Sequence, residues 1–263
     1  MNKCLLENKR ILITGSSNGL GLAMAKALGM AGASVLLAAR NAIHTEKALQ
    51  SLLALNIHAD SVTLDVRNEY SIQQTVQWIE NHWGGLDMLI NNAGIGMRTV
   101  NSKFLSDPLP FYKISTIGFR DLIDTNLTGY FLVTKAMVPF FLGQKKGKIV
   151  NITMNHETMR RKGFIPYGPS RAGTESLSLI MAEDLKEFSI DVNMLLPGGA
   201  TETGMIPDEY RQNGKLPFAL LNPDVMAEAI IYLASDESNG LTGERIVANQ
   251  FQQWYKERFI QNK

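Results

Sequence analysis

A turn near the start of the chain has the composition of a phosphate-binding site. Gly15, Gly19 and Gly21 follow a short apolar run within the segment KRILITGSSNGLGL, which spans Lys9–Leu22. Glycine has no Cβ, so its backbone can turn tightly and its N–H groups can lie directly against a ligand. A helix that begins at such a turn directs unpaired N–H groups and the positive end of its dipole at an anion. The turn therefore indicates nucleotide binding, with an ordinary tight turn as the alternative.

Strand and helix patterns alternate after this turn, which is typical of an α/β fold with a parallel sheet covered by helices on both faces. Apolar runs predict strands at residues 11–13, 34–39, 59–64, 86–90, 148–153, 190–196 and 245–248. Helical periodicity predicts helices starting near Gly19 and over residues 42–55, 70–83, 119–143, 167–188 and 223–234.

Polar residues stand where several of the predicted strands end. Thr14, Arg40, Asp65 and Asn91 each occupy such a position. In doubly wound sheets the ligand lies beyond the carboxyl ends of the strands, where the strand order reverses. These residues therefore predict a binding cleft at that edge of the sheet.

Composition limits the classes of protein to which the chain can belong. Its 263 residues are compatible with one α/β domain over 1–263, and its 26 Lys and Arg against 25 Asp and Glu argue against a nucleic-acid surface. One cysteine excludes a disulfide framework, and no residue spacing supports a metal site. No apolar run approaches the roughly 20 residues of a membrane span. We therefore expect a soluble, cytoplasmic protein without a membrane or nucleic-acid partner.

Several motifs in this order resemble those of the short-chain dehydrogenase/reductase family over nearly the whole chain. They are the turn Thr14-Gly15-Ser16-Ser17-Asn18-Gly19-Leu20-Gly21, then Asn91-Asn92-Ala93-Gly94, Asn126 within DTNLTGYF, Tyr167 with a basic residue four positions later, and Pro197-Gly198. The resemblance implies a single Rossmann-type domain with about seven parallel strands that binds NAD(H) or NADP(H). It also implies a homodimer or homotetramer.

The resemblance places the cofactor on a defined set of residues. These are Gly15, Ser17, Asn18, Gly19, Leu20, Gly21, Arg40, Asp65, Val66, Asn92, Ala93, Gly94, Pro197, Gly198 and Thr201. NAD-binding relatives carry an acidic residue at the end of the second strand, where this chain has Ala39 followed by Arg40. An arginine there could bind a 2′-phosphate through its fork of N–H groups, which favours NADP over NAD. Alternatives stay open at two of these residues, since Arg40 could be a solvent-facing charge and Asp65 could cap a loop. Asn18 lacks the positive charge that many NADP-binding relatives carry in the glycine turn, which argues against NADP.

The family's catalytic tyrosine, lysine and serine are matched here only in part. Tyr167 matches the tyrosine that gives or takes the proton, and Asn126 matches the asparagine on the preceding long helix. The basic residue on the same helical face is Arg171 rather than lysine, and its fixed positive charge favours the phenolate of Tyr167. Met154 occupies the serine position, thirteen residues before Tyr167, and a thioether offers no donor. Asn155 in the following loop is our first candidate for the missing donor, ahead of His156.

Two further segments bear on the substrate. The irregular stretch 95–118 is read as part of a substrate entrance or as a passive insertion. Arg98 and the run Arg160, Arg161 and Lys162 could bind a carboxylate or phosphate, or could lie on a solvated loop.

Two hypotheses follow for the function. The first is an NADP(H)-dependent oxidoreductase that interconverts a carbonyl and an alcohol on a small polar, possibly anionic, molecule. The second is a family member repurposed for non-redox chemistry or for a dinucleotide-binding regulatory or scaffold role, because the serine and lysine positions have changed.

Overall fold

The computed structural model describes residues 5–207 and 218–259, and a seven-stranded parallel sheet runs through them. The strands are β1 (Arg10–Thr14), β2 (Ser34–Ala39), β3 (Ala59–Thr63), β4 (Met88–Asn91), β5 (Gly147–Ile152), β6 (Ile190–Leu196) and β7 (Arg245–Val247). Their spatial order is β3-β2-β1-β4-β5-β6-β7, with every neighbouring pair parallel. The order reverses between β1 and β4. The predicted α/β architecture, with its parallel sheet, is confirmed.

Helices cover both faces of the sheet. They are α1 (Gly19–Met30), α2 (Ala42–Leu53), α3 (Glu69–His82), α4 (Thr116–Ile123), α5 (Gly129–Gln144), α6 (His156–Met159), α7 (Tyr167–Leu185), α8 (Ala227–Ala234) and α9 (Phe251–Phe259). Because side chains alternate along a strand, β1 directs Leu12 to one face and Ile11 and Ile13 to the other. One core packs α1, α2, α8 and α9 on the sheet, and the other packs α3, α5 and α7. This two-sided burial holds the strand ends, and therefore the cleft, in place.

The long helix predicted over 119–143 has a different form in the structure. It begins at Thr116, because the side chain of Ser115 accepts a hydrogen bond from the N–H of Gly118 and caps the first turn. A π-helical turn, Asp124–Thr128, joins α4 to α5. One-turn π segments inside helices frequently occur at functional sites, and this one contains Asn126.

Two predicted loops also contain short regular segments. The irregular stretch 95–118 includes single 3₁₀ turns at Met97–Thr99 and Phe111–Lys113. Its residues Met97 and Phe104 are buried against Leu122 and Phe164 in a small apolar cluster. The stretch expected as a loop after β5 contains the one-turn helix α6. Both segments lie beside the cleft described below.

Residues 5–207 and 218–259 contain no helix that is both long and apolar enough to cross a bilayer.

Candidate active site

The glycine turn after β1 forms a cradle that side chains would fill. Gly15 and Gly19 have φ of 65° and 55°, a backbone conformation that favours glycine. A Cβ on Gly21 would lie 2.5 Å from the carbonyl oxygen of Gly15 and 2.6 Å from Nδ2 of Asn92. The turn therefore requires glycine at all three positions, and it leaves main-chain N–H groups open at the start of α1.

Asn92 and Thr14 join the ends of β1 and β4, where the strand order reverses. Nδ2 of Asn92 donates to the carbonyls of Thr14 (2.9 Å) and Gly15 (3.0 Å). Oγ1 of Thr14 accepts from the backbone N–H groups of Asn92 and Ala93, both at 3.0 Å. These bonds hold the glycine turn against the Asn92–Gly94 loop. The crevice between them lies at the place where doubly wound sheets bind ligands.

A cavity of about 400 Å³ opens at this crevice, and we call it the turn cavity. The structure brings most of the predicted cofactor residues to its lining: Gly15, Ser17, Asn18, Gly19, Leu20, Arg40, Val66, Asn92, Ala93 and Gly94. Arg40 is exposed at the carboxyl end of β2. Its position suits a phosphate at the edge of the cavity.

Asp65 has a different local role from its neighbour Val66. Its carboxylate accepts hydrogen bonds from Arg67 at the backbone N–H (3.0 Å), at Nε (3.2 Å) and at Nη2 (3.0 Å). The hydrogen bond from the Arg67 side chain holds the pKa of Asp65 below its ordinary value. The side chain of Asp65 therefore closes a turn with Arg67, as the loop-cap alternative describes, while Val66 faces the turn cavity.

A second cavity of about 310 Å³ adjoins the first and contains Tyr167, so we call it the Tyr167 cavity. The two cavities share Leu20, Asn92, Gly96, Thr203 and Met205 in their linings. The second also brings together Met154, Asn155, Arg171, Pro197, Gly198 and Thr201. The hydroxyl of Tyr167 donates to the sulfur of Met205 at 3.8 Å. A ligand that fills the turn cavity can therefore extend to the phenol of Tyr167.

Arg171 is buried beside Tyr167, with only 2 % of its surface exposed. Its Nη1 donates to the hydroxyl of Tyr130 (2.8 Å) and to the carbonyl of Ile152 (2.9 Å). The guanidinium carbon lies 5.4 Å from the ring centre of Tyr167 and 5.5 Å from that of Tyr130. Burial alone would lower the pKa of Arg171, but the phenol oxygens of Tyr130 and Tyr167 outweigh it and hold the pKa above its usual range. The guanidinium therefore stays charged.

The other two nitrogens of Arg171 have different surroundings. Nε is buried and has no hydrogen-bond partner among the residues that the structure describes. Nη2 lies 2.6 Å from where a Cβ on Gly94 would stand, and Oδ1 of Asn126 lies 3.2 Å from that same point. Gly94 borders the turn cavity, so the charged Nη2 beside it lies close to any ligand that occupies that cavity. This observation, together with the glycine cradle, fits a dinucleotide.

Asn126 fixes the chain that leaves β4. Its Oδ1 accepts from the N–H of Ile95 and its Nδ2 donates to the carbonyl of Ile95, both at 2.9 Å. Its own carbonyl accepts from Oγ1 of Thr174 on α7 (3.1 Å). Asn126 therefore ties the Gly94–Ile95 backbone to the helix that carries Tyr167 and Arg171.

Sequence reasoning missed a polar network behind the Tyr167 cavity. Oε1 of Glu175 accepts from Thr153 (2.9 Å) and from Nε of Arg245 (2.8 Å), and its Oε2 pairs with Nε2 of His156 (2.8 Å). Burial alone would raise the pKa of Glu175, but the hydrogen bonds from Arg245, His156 and Thr153 outweigh it and hold the pKa below its ordinary value. Arg245 also donates to the carbonyl of Met154 (2.9 Å). The network therefore positions Met154 and Asn155 from outside the cavity.

This network separates the two predicted donor candidates. The ring of His156 pairs with Glu175 and its side chain is 52 % exposed, so it belongs to the network. Asn155 borders the Tyr167 cavity. The structure assigns its side chain no hydrogen-bond partner among the described residues.

The basic side chains predicted near the substrate are divided between the two cavities and solvent. Arg161 borders the Tyr167 cavity and lies 5.6 Å from the ring centre of Phe164. Arg98 borders the turn cavity and donates to the carbonyl of Gly204 (2.6 Å). Arg160 and Lys162 are exposed.

Comparison with known proteins gives the family. The family model for short chain dehydrogenase matches residues 9–214. The chain belongs to the short-chain dehydrogenase family. It is an NAD(P)-dependent oxidoreductase of that family.

Three relatives of this short-chain dehydrogenase show how far the similarity extends. The gluconate 5-dehydrogenase of Gluconobacter oxydans (strain 621H) is 33 % identical over 193 residues, which cover 73 % of this chain and 72 % of the relative. The 2-dehydro-3-deoxy-D-gluconate 5-dehydrogenase of Formosa agariphila is 30 % identical over 250 residues, 90 % of each chain. A crystal structure of a gluconate 5-dehydrogenase from Burkholderia cenocepacia J2315, in complex with NADP and tartrate, is 25 % identical, with a TM-score of 0.81 and coverage of 96 % and 98 %.

The close approach of Arg171 to Gly94 gives a first prediction about this short-chain dehydrogenase. Replacing Gly94 by Ala puts a methyl group 2.6 Å from Nη2 of Arg171, whose other side is held by Tyr130 and Ile152. Because the guanidinium can move away from this methyl group only by straining its bonds to Tyr130 and Ile152, we expect NADPH affinity to fall at least about tenfold, roughly 1.4 kcal/mol. Fluorescence titration with NADPH measures this. Gly143→Ala is the control, since nothing lies within 4 Å of its added Cβ, and unchanged affinity in Gly94→Ala would contradict the packing described.

The network around Glu175 predicts a pH dependence of stability. The pKa of Glu175 is lower in the folded protein than its unfolded value of about 4.3. Its contribution is therefore fully present above that unfolded value and is lost as the pH falls through the folded-state pKa. The unfolding free energy of Glu175→Gln should lie below that of wild type at about pH 5.5, and the gap should shrink below about pH 4. Urea unfolding followed by circular dichroism measures the gap.

The exposed Glu157 provides the matched control for that experiment. Glu157→Gln should differ little from wild type at any of these pH values. A Glu175→Gln gap that stays constant down to about pH 3 would contradict the assignment.

Proposed function

We propose that this chain interconverts a carbonyl and an alcohol with NADP(H), with Tyr167 as the proton donor and acceptor. The observation that carries the proposal is that the Tyr167 hydroxyl and the buried cation Arg171 border one cavity, which meets the glycine-lined turn cavity at shared residues. A dinucleotide seated on the cradle would extend its nicotinamide end toward that phenol. We also propose that residues 1–263 act as one domain.

The choice of NADP over NAD rests on the end of β2. Ala39 and Arg40 place no carboxylate there, and the exposed guanidinium of Arg40 borders the turn cavity. An arginine can bind a phosphate through two parallel N–H bonds. The NADP in the related Burkholderia cenocepacia structure supports the same choice. In our proposal Gly15, Ser17, Asn18, Gly19 and Leu20 hold the pyrophosphate, and Asn92–Gly94 borders the nicotinamide side.

We assign Pro197, Gly198 and Thr201 to the nicotinamide end as well. They border the Tyr167 cavity, and Oγ1 of Thr201 donates to the carbonyl of Gly199 (3.3 Å).

The protein's residues divide the proton chemistry among them. The bound nicotinamide supplies or accepts the hydride. Tyr167 gives its hydroxyl proton to the carbonyl oxygen in reduction and takes it back in oxidation. The guanidinium carbon of Arg171 lies 5.4 Å from the ring centre of that phenol, and Asn126 holds the Gly94–Ile95 backbone against which the guanidinium lies.

Met154 and Arg171 take the places that serine and lysine hold in the family, in our proposal. Removing one donor to a developing oxyanion costs on the order of 10²–10³ in rate. We therefore assign the missing donation to Asn155, which borders the cavity and directly follows Met154, whose carbonyl accepts a hydrogen bond from Arg245. Its amide N–H₂ can donate to a substrate oxygen as a hydroxyl would.

The lining of the Tyr167 cavity bears on the substrate. Much of it is aromatic or sulfur-containing, including Phe104, Phe164 and Met205, and Arg161 stands at its border. This lining favours a carbonyl compound with an apolar portion and an anionic group directed at Arg161. The small polar substrate expected from sequence stays a prediction, which the sugar-acid names of the relatives support.

A homodimer or homotetramer is part of the proposal. Phe131 and Leu142 on α5 and Leu179 and Ile180 on α7 are large apolar side chains that remain exposed. Burying them against a second copy would remove this apolar surface from water.

One observation favours the repurposed alternative. The guanidinium of Arg171 stays protonated, so it cannot pass a proton onward as an amine could. A chain that needed no such transfer could use the bound dinucleotide for regulation or for a non-redox proton transfer through Tyr167.

The proposed function is tested first at Tyr167. When wild-type protein is mixed with NADPH and members of a panel of carbonyl compounds, the absorbance of NADPH should fall as the cofactor is oxidised. Tyr167→Phe should lower kcat by roughly 10²-fold or more because the proton donor is lost, while NADPH affinity stays within about twofold. Tyr112→Phe is the control, since that side chain is exposed far along the 95–118 stretch. Full activity in Tyr167→Phe would remove Tyr167 from the proton transfer.

A double replacement separates the two functions. Met154→Ser together with Arg171→Lys restores the residue types of the family. If the changes weaken an ordinary reductase, this variant should reduce simple ketones faster than wild type, by about tenfold or more. If the protein's own reaction is rebuilt around Met154 and Arg171, the variant will lose it. Initial rates of NADPH oxidation distinguish the outcomes.

A further inference from the structure

Arg171 is a buried cation that forms no ion pair within residues 5–207 and 218–259. The acceptors that the structure gives its guanidinium are two neutral oxygens, the phenol of Tyr130 and the carbonyl of Ile152. Burying a charge without a counter-charge is costly unless hydrogen bonds compensate it. The oxygen of Tyr130 is the side-chain acceptor that lies 2.8 Å from Nη1, so it fixes one edge of the cation.

Tyr130 occupies a position that phenylalanine could fill by shape alone. It lies on α5 with 1 % of its surface exposed. Its hydroxyl accepts from Nη1 of Arg171 at 2.8 Å and donates to the carbonyl of Ile152 at 3.4 Å. A hydroxyl at this depth is unfavourable unless it is hydrogen-bonded. The hydrogen bonds to Arg171 and Ile152 therefore account for a hydroxyl group at this buried position, since packing of the ring does not require one.

We propose that Tyr130 positions Arg171 for the reaction of Tyr167, and that this partner allows an arginine to serve where the family uses lysine. The inference rests on the proposed function. The Tyr130 hydroxyl and the Ile152 carbonyl both hold Nη1, and Nη2 lies beside Gly94 at the turn cavity. Tyr130 does not touch the reacting atoms, so it is a positioning residue that acts through the guanidinium.

The geometry gives the pair a property that lysine would not share. A guanidinium is planar and has donors on separate edges, so fixing one edge fixes the direction of the others. A lysine ammonium is a compact charge on a flexible stem, and its interaction with the cleft does not depend on an anchored edge. The hydroxyl of Tyr130 should therefore matter when residue 171 is Arg and matter little when it is Lys.

The test is a double-mutant cycle on the full chain with Tyr130→Phe and Arg171→Lys. Tyr130→Phe keeps the ring and removes only the oxygen. In the Arg171 background we expect kcat at saturating carbonyl substrate to fall on the order of tenfold, with KM for that substrate within about twofold. In the Arg171→Lys background the same change should alter kcat by less than about twofold.

Tyr232→Phe is the matched control. Tyr232 is also buried, at 7 % exposed, and its ring packs 5.5 Å from that of Phe251 in the core on the α1 side of the sheet. Removing its oxygen should leave kcat unchanged in both backgrounds. Equal losses for Tyr130→Phe with Arg or Lys at 171 would mean that the oxygen only stabilises the fold, and this would overturn the inference. Unchanged kcat with Arg171 would overturn it as well.

A binding cycle keeps the inference testable without turnover. Because Nη2 of Arg171 faces Gly94 at the turn cavity, Tyr130→Phe should weaken NADPH binding severalfold with Arg171 and leave it unchanged with Lys, as measured by calorimetry. If wild type binds NADPH but reduces no carbonyl, the proposed function fails, and the binding cycle alone decides the role of Tyr130. Additive effects on binding would then reject that role.

Discussion

One buried cation, the guanidinium of Arg171, constrains the arrangement of the site. It is enclosed by the phenols of Tyr130 and Tyr167 and anchored to the carbonyl at the end of β5. No carboxylate among the described residues neutralises it. A charge in this setting interacts strongly with any ionisable neighbour, because little water screens it. The ring of Tyr167, four residues earlier on the same helix, lies 5.4 Å from the guanidinium carbon, and Gly94 leaves room for Nη2.

The sheet supplies the rigidity that this arrangement needs. Strand β5 is buried along its whole length and ends at Ile152, whose carbonyl accepts from Arg171. The hydrogen bonds between Thr14 and Asn92 fix the crevice where the strand order reverses. Asn126, in the π-helical turn, connects the chain after β4 to α7. The cofactor cradle follows β1, whereas the phenol of Tyr167 and the cation of Arg171 are both on α7, and contacts to the backbone set the separation between cradle and helix. Such contacts change less than flexible side chains when a ligand binds.

The sequence predicted the architecture well because each level of local evidence agreed. Strand Ser34–Ala39 and strand Ile190–Leu196 have in the structure the bounds that their apolar runs predict. The glycine turn was identifiable because positive φ values and close backbone approach both require glycine. The spacing of Tyr167 and Arg171 placed them on one helical face, which long-range packing could not alter.

The features that escaped prediction depend on contacts between distant residues. Nothing near Glu175 on α7 in the sequence indicates Arg245, which lies seventy positions away at the start of β7. The π-helical turn at Asn126 lies within a stretch whose apolar periodicity predicts a continuous helix. The pattern of apolar residues therefore does not reveal where the helix departs from regular α geometry. Asp65 stands at a strand end, but its side chain bonds to Arg67 two residues on, a local competition that the motif does not reveal. In the sequence Tyr130 is indistinguishable from other core aromatic residues. Only the structure shows that its oxygen accepts a hydrogen bond from the guanidinium of Arg171.

Calorimetric titration of the wild-type protein with NADPH and with NADH tests the proposed site most directly, because we propose that the cradle, Arg40 and Arg171 all contact that ligand. The account predicts one site per chain and tighter binding of NADPH than of NADH, by about tenfold or more, since Arg40 meets only the 2′-phosphate. Absence of heat with both dinucleotides, under conditions in which the protein is folded, would contradict it.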